Sequence, residues 1–276
     1  SQSRVCRTTT CSRRNAVDHR RARYSREPRI RKFDRMKLKA IIFDVDGTLA
    51  ETEEAHRHAF NRAFAEAGRA WHWSENDYRE LLQVTGGKER IRHFLKSLDE
   101  AASDDFIAEL HARKNEIYAE LVASGQVTLR PGIARLIKEA RSRKLATAIA
   151  TTTSKANLAA LLDRHFGPGS IIEFDAVVTG EDVVRKKPDP EVYTHTLRAL
   201  DVPPEACVAI EDSRNGLLAA ASSGIAVLVT PSLYSSHEQF DGAAGVRGDL
   251  EHPYPPIDVA ALDALLCAHQ PQALAL

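Results

Sequence analysis

Asp44 and Asp46 stand one residue apart at the end of the apolar run Ile41-Ile42-Phe43, and Gly47-Thr48-Leu49 follows at once. Side chains of a strand repeat every two residues, so both carboxylates start on one side, and Gly47 lets the backbone turn sharply beneath them. One carboxylate can act as a nucleophile and the other as a proton carrier. Two negative charges this close repel. The arrangement becomes reasonable when a divalent cation, or a substrate phosphate with its own cation, sits between them. The competing reading of the pentapeptide alone is a strand followed by an Asp-rich turn with no chemistry.

Three further strand ends carry reactive side chains. Thr151-Thr152-Thr153-Ser154 offers hydroxyls and free backbone N–H groups at a helix start, which suits an anion, although Thr and Ser are also ordinary helix caps. In Lys186-Lys187-Pro188-Asp189-Pro190 the prolines stiffen a loop and aim a lysine, where a solvated basic loop is the bland alternative. Glu211-Asp212-Ser213 brings a paired acid to the same sheet edge. In order along the chain, these segments supply two acids, a hydroxyl, a lysine and a further acid pair on one rim. Phosphoryl transfer through a magnesium ion requires that set.

The elements that must position them alternate between strand and helix. Apolar runs at 39–44, 145–151, 174–179, 206–211 and 225–230 read as buried strands, and 132–143, 155–166, 190–200 and 213–223 have helical periodicity. Pro131-Gly132 precedes one helix, Pro190 opens another and Gly224 closes a third. The alternation predicts an α/β fold with a doubly wound parallel sheet. One interval breaks the rhythm: from 52 to 129 there are only helical stretches, near 52–67, 75–84, 88–98 and 103–123. This predicts an all-helical insertion directly after the two aspartates, with Ala50-Glu51 and Thr128-Leu129-Arg130 as linkers and Gly125 ending its last helix.

Composition fits a globular enzyme. With 276 residues, 43% apolar and 28% charged, the chain can bury a full core. Its four cysteines, at 6, 11, 207 and 267, show neither metal-ligand spacing nor a disulfide framework. No apolar stretch reaches the length of a membrane span. The formal net charge of zero conceals an asymmetry, because residues 1–35 hold eleven arginines and one lysine against Asp18, Glu27 and Asp34, a net of +9, leaving −9 for the rest. Lacking apolar periodicity, this basic extension is expected to be disordered. It reads as a nucleic-acid arm, an organellar transit peptide or sequence ahead of the true start, and Met36, the only methionine, favours the last. Without aromatic or glycine interleaving, nucleic acid is not an expected partner.

Asp44-x-Asp46-Gly47-Thr48, Thr151, Lys187-Pro188 and Glu211-Asp212 resemble the four ordered motifs of the haloacid dehalogenase superfamily, and the helical insertion resembles its alpha-helical cap. Asp44–Glu54, Thr85–Ile91, Ala150–Ser154, Lys186–Pro188 and Glu211–Gly216 are similar to the superfamily's CbbY group, phosphatases of the Calvin-cycle gene cluster that act on xylulose 1,5-bisphosphate. The resemblance implies a Rossmann-like core over 36–50 and 130–245, a cap over 51–129 and a C-terminal tail or helix over 246–276. The Arg-rich first 35 residues have no counterpart in it.

The resemblance also implies roles. Asp44 would attack phosphorus and form an aspartyl-phosphate, and Asp46 would protonate the leaving sugar oxygen and then deprotonate the hydrolytic water. Magnesium would be held by Asp44, the Asp46 backbone carbonyl and Asp212, with Glu211 orienting those ligands. Thr151 would bond the transferring phosphoryl group, Thr152 and Ser154 would stand beside it in the substrate site, and Lys187 would neutralise developing charge. In the cap, Gly86 and Gly87 would allow close backbone approach, Lys88 and Arg90 would offer cations to a distal phosphate with Glu89 between them, and Glu53 and His56 would bond sugar hydroxyls. The implied activity is magnesium-dependent hydrolysis of small sugar phosphates. A sugar-phosphate mutase of the beta-phosphoglucomutase kind is the alternative, and the second aspartate disfavours a dehalogenase. A cytoplasmic monomer with no membrane partner is expected, or a plastid protein if residues 1–35 are a transit peptide.

Overall fold

The structure, a computed structural model, describes residues 37–269. The expectations for the basic extension and for the last residues of the tail lie outside them. Six parallel strands form one sheet: β1 (Ala40–Phe43), β2 (Ala146–Ala150), β3 (Ala176–Val178), β4 (Cys207–Glu211), β5 (Ala226–Val229) and β6 (Gly245–Val246). Their order is β3-β2-β1-β4-β5-β6, so the chain leaves β1 in one direction to reach β2 and later returns to β1's other side with β4. Ligands of open parallel sheets bind beyond the carboxyl ends of strands at such a reversal, and Asp44 follows β1 directly.

The strands are apolar at nearly every position because both faces are covered. Alternation divides β1 cleanly, with Ile41 and Phe43 in one hydrophobic cluster and Ala40 and Ile42 in the other. Helices α5 (Ile133–Ser142), α6 (Lys155–Phe166) and α9 (Val259–His269) cover the first face, and α7 (Glu191–Leu200) and α8 (Arg214–Ser222) the second. Between β1 and α5 lie four helices and no strand: α1 (Glu53–Glu66), α2 (Glu75–Leu81), α3 (Gly87–Ser97) and α4 (Asp104–Ala123). The fold is thus a doubly wound parallel sheet with an inserted all-helical cap.

The two linkers of the cap run side by side, with Ala50 bridging Leu129 in antiparallel fashion while Arg130 N donates to Leu49 O at 2.8 Å. Some boundaries differ from expectation. The apolar run 174–179 keeps only three residues in the ladder, since a 3-10 turn over Ser170–Glu173 delivers the chain to β3 late; Phe174 and Thr179 are buried without pairing. The 75–84 helix stops at Leu81. The expected division at 245 cuts β6, and the tail helix α9 puts Val259, Leu262 and Leu266 into the core. Among the described residues no helix is long and apolar enough to cross a membrane.

Candidate active site

Asp44 continues the ladder past β1, its N–H donating to Ile210 O at 3.0 Å, and the chain then folds back through N–H groups of Thr48 and Leu49 onto Val45 O. Gly47 makes this turn possible at φ 78°, and a Cβ there would stand 2.3 Å from Asp212 Oδ2. The turn separates the two aspartates that share a strand face in sequence. Asp44 Oδ1 accepts from Lys187 Nζ at 2.6 Å, whereas Asp46 Oδ1 turns to the insertion and accepts from Thr52 Oγ1 at 2.7 Å, with His56 Nε2 at 3.0 Å.

On the sheet side, Lys187 is the centre. Its ammonium donates to Asp44, to Glu211 Oε1 at 2.7 Å and to Ala150 O at 2.9 Å, which uses all three donors. Burial acts to lower the Lys187 pKa, but the charges of Asp44 and Glu211 outweigh it and hold the lysine firmly protonated. Tyr193 donates its hydroxyl to the same Glu211 oxygen. Burial, opposed by Lys187 and aided by Glu211 and Asp46, raises Asp44 to about 7. Asp212 is raised well above the usual carboxylate range by burial and by Asp44 and Glu211, with no lysine of its own. Carboxylate oxygens of Asp44, Glu211 and Asp212, all buried, lie within 4.8 Å of one another.

On the helical side, Lys114 Nζ stands 2.7 Å from His56 Nδ1. A protonated lysine can only donate, so Nδ1 accepts and the remaining proton sits on Nε2, aimed at Asp46. Burial, helped by the charge of Lys114, pushes His56 down to about 4, which keeps the ring neutral. The ring stacks on Tyr118 at 4.0 Å between centroids, fixing its plane. Asp46 lies below its ordinary value: burial would raise it, but His56, the Thr52 hydrogen bond and Lys114 outweigh that penalty. Glu53 is pushed up to about 7 by burial and Asp46, and it accepts from Tyr78 Oη at 2.9 Å.

A cleft of about 590 Å³ joins the two sides. Asp44, Asp46, Glu53, His56, Gly86, Gly87, Lys88, Glu89, Arg90, Thr152, Ser154, Lys187 and Asp212 all line it. Thr151 and Glu211 lie buried just behind, and the Thr151 hydroxyl accepts from Thr153 N at 3.2 Å. Two placements depart from expectation, those of His56 and Arg90. Both ring nitrogens of His56 are taken, so its polar atoms face Asp46 and Lys114 rather than a sugar. Arg90 is buried, donating from Nε to Leu81 O and Val84 O at 3.2 and 3.3 Å and from Nη1 to Tyr78 Oη at 2.9 Å, with its guanidinium over that ring. Its donors close off the end of α2, which leaves Lys88 as the exposed cation of the pair. Ser154 caps α6 through Asn157 N at 3.2 Å.

Sequence reasoning missed Lys114, Tyr193 and His111. Lys114 had a signal: it falls on the buried stripe of α4 with Ile107, Leu110 and Ile117, where a lysine needs a reason. His111 lines the cleft against Gly87, where a Cβ would come 2.3 Å from its Nε2.

Comparison with known proteins agrees with this geometry. Residues 38–224 match the family model of the haloacid dehalogenase-like hydrolases. The protein CbbY of Rhodobacter capsulatus is 50% identical over 208 residues, covering 75% of this chain and 92% of that protein. The crystal structure of CbbY from Rhodobacter sphaeroides with phosphate superposes with a TM-score of 0.74 at 49% identity, over 77% of this chain and 94% of that one. An Asp-to-Asn variant of the same protein, solved with xylulose 1,5-bisphosphate, gives 0.74 at 48% identity over the same shares, 77% and 94%. The chain belongs to the haloacid dehalogenase-like hydrolase family and, within it, to the CbbY group of enzymes.

Proposed function

We propose that the chain is a magnesium-dependent phosphatase of small sugar phosphates, working through an aspartyl-phosphate on Asp44, with xylulose 1,5-bisphosphate as its substrate. One observation carries the reading: a buried lysine clamps Asp44 and Glu211 beside Asp212, while Asp46 is held apart by Thr52 and His56. In this arrangement Asp44 is fixed for attack on phosphorus and Lys187 stands where charge develops on the transferring group. Asp46, aimed from the opposite side, serves the proton transfers. Its low pKa keeps it ionised before substrate binds, and the dianion of an arriving phosphate would raise its proton affinity toward what both proton transfers need.

The residues fit a hard divalent cation. The mutual repulsion that raises Asp44 and Asp212 above the usual carboxylate range is what a bound cation would relieve: with both ionised beside Glu211, three negative charges would face Lys187's one positive charge in a buried space. Oxygen donors alone favour magnesium over softer metals. Asp44, Asp212 and the Asp46 carbonyl would hold it, with Glu211, already engaged by Lys187 and Tyr193, orienting them. Bound there, magnesium supplies positive charge to the phosphoryl oxygens.

The likeness to the Rhodobacter sphaeroides protein solved with xylulose 1,5-bisphosphate supports a bisphosphate substrate. In this reading 51–129 form the cap, whose Lys88 faces the distal phosphate, and 37–50 with 130–269 form the core, β6 and α9 included. Phosphate release across a panel of sugar mono- and bisphosphates, with and without a chelator, tests the proposal. Release should be largest with xylulose 1,5-bisphosphate and be silenced reversibly by chelation; full activity after exhaustive chelation rules the metal out. Beta-glucose 1-phosphate with a trace of glucose 1,6-bisphosphate should yield free phosphate. Sustained isomerisation without phosphate would instead assign a mutase.

A further inference from the structure

Arg130 ends the second linker, and its side chain is almost wholly buried at 8% exposure. Its guanidinium meets oxygens from four separate stretches of chain. Nη1 donates to Gly47 O and, at 2.5 Å, to Thr230 O; Nη2 donates to Pro231 O and Gly248 O, each at 2.9 Å; Nε lies 3.2 Å from Glu51 Oε1. Gly47 is the turn that carries Asp46, and Glu51 belongs to the first linker. Thr230 and Pro231 open the loop after β5, whose Ser235 hydroxyl donates to Asp212 O at 2.7 Å.

We propose that Arg130 is a positioning residue that pins both cap linkers and the loop behind Asp212 to the turn carrying Asp46. The proposal rests on the phosphatase reading for its kinetic consequence only. Only arginine suits the place, because a rigid plane with five donors can address oxygens in several directions at once, whereas a lysine ammonium presents three donors from one point. All of its acceptors but Glu51 are neutral, four of them carbonyls, so what the guanidinium gains is mainly the mutual registry of the segments that own them. The Leu129 to Ala50 bridge and the Arg130 N–H to Leu49 O bond hold the backbones of the linkers together. The side chain extends that joint into the site. The joint between the linkers is therefore fixed relative to Asp46 and Asp212, which keeps the acid/base in register with the carboxylates on the sheet side.

The test compares Arg130→Lys and Arg130→Ala with Arg135→Ala, a control whose guanidinium serves Leu250 O, Ile257 O and Glu251, none of which lines the cleft. Amide hydrogen exchange is measured without substrate. Turnover of the best sugar phosphate is then measured with and without methylguanidinium. Exchange in the Arg130 variants should quicken selectively over 45–50 and 230–235, and kcat should fall on the order of 10-fold to 100-fold, as small misplacements of catalytic groups do. Methylguanidinium should restore part of the kcat of Arg130→Ala, while Arg135→Ala should lose thermal stability and keep its kcat and KM. Should Arg130→Ala fail to fold, Arg130→Lys and Glu51→Gln keep the question open to decision, since Glu51→Gln should also quicken exchange over 45–50. Uniform quickening across the chain, or a kcat for Arg130→Lys within about twofold of wild type, overturns the proposal. A wild type that releases phosphate from no sugar phosphate removes the function, and the exchange pattern still judges the pin.

Discussion

Lys187 and Lys114 are both about 4% exposed or less, and each stands behind one aspartate of the same pair, Lys187 in a loop beyond β3 and Lys114 on α4. Burial by itself would lower both pKa values. Lys187, in contact with two carboxylates, is carried upward instead. Lys114 touches the nitrogen of a neutral imidazole and lies over the rings of Phe60 and Tyr118 at 4.8 and 5.4 Å, and burial pushes it down to about 7. The difference teaches that carboxylate contacts decide whether a buried lysine is a fixed charge or a group near its titration point. In this site the fixed charge faces the nucleophile, and the softer lysine sets the tautomer of the histidine that holds the acid/base.

The largest effect should come from Asp44→Asn, which is nearly isosteric and cannot form an acyl phosphate. Turnover should drop by about 10³-fold or more with the fold intact, read as phosphate release and circular dichroism. Lys187→Met should follow, with a turnover loss on the order of 10²-fold to 10³-fold. It also strands two buried carboxylates, so its urea midpoint should report a loss of about 3–5 kcal/mol. Lys114→Met is the counterpart that can break the comparison: having no carboxylate partner, it should cost less than about 1 kcal/mol of stability, yet lower turnover about 10-fold by freeing the His56 tautomer. Equal stability losses for the two lysines would show that charge contacts do not distinguish them.

The same contrast has a pH signature. Between about 7 and the ordinary 10.5, the unfolded chain keeps a proton on Lys114 that the folded chain releases. Stability rises with pH wherever the unfolded state binds more protons, so wild type should gain on Lys114→Met across that window in denaturant titrations. The groups acting on Lys114 there are Asp46, Arg90 and Glu53. A flat difference from pH 7 to 10 would mean that Lys114 stays charged.

The smallest expected effects separate the two cap cations. Lys88→Ala should raise KM for a bisphosphate about 10-fold and leave a monophosphate nearly unchanged, on the scale of one charge-assisted contact. Arg90→Ala should instead cost about 2 kcal/mol of stability and affect both substrates alike, because Nε holds Leu81 O and Val84 O, Nη1 holds Tyr78 Oη and the guanidinium packs over the Tyr78 ring. A selective bisphosphate defect in Arg90→Ala would return the distal phosphate to it.

Much of this site was legible in the chain. The Asp44, Thr151 and Glu211 segments end strands that apolar periodicity reveals, Lys187 follows in the loop after β3, and parallel topology brings such ends to one edge. What periodicity could not give was direction. Asp44 and Asp46 share a strand face on paper, and only the turn at Gly47, pressed against Asp212, sends one to the sheet and the other to the insertion. Arg90 reads from sequence as a cation at a helix start, but the carbonyls at the end of α2 claim it.

The sequence by itself determined the strand and helix alternation, the place of the all-helical insertion and the order of the reactive segments, because each is written in neighbouring residues through side-chain period and backbone geometry. The tertiary structure decided the partners: Lys114 with His56 across 58 residues, Lys187 with Asp44 across 143 and Arg130 with Gly47 across 83. Those pairings fix the charge of each lysine, the tautomer of the histidine and the joint between the two linkers. They depend on burial and on which oxygen lies within about 3 Å, and neither is encoded in the local run of residues around any one of them.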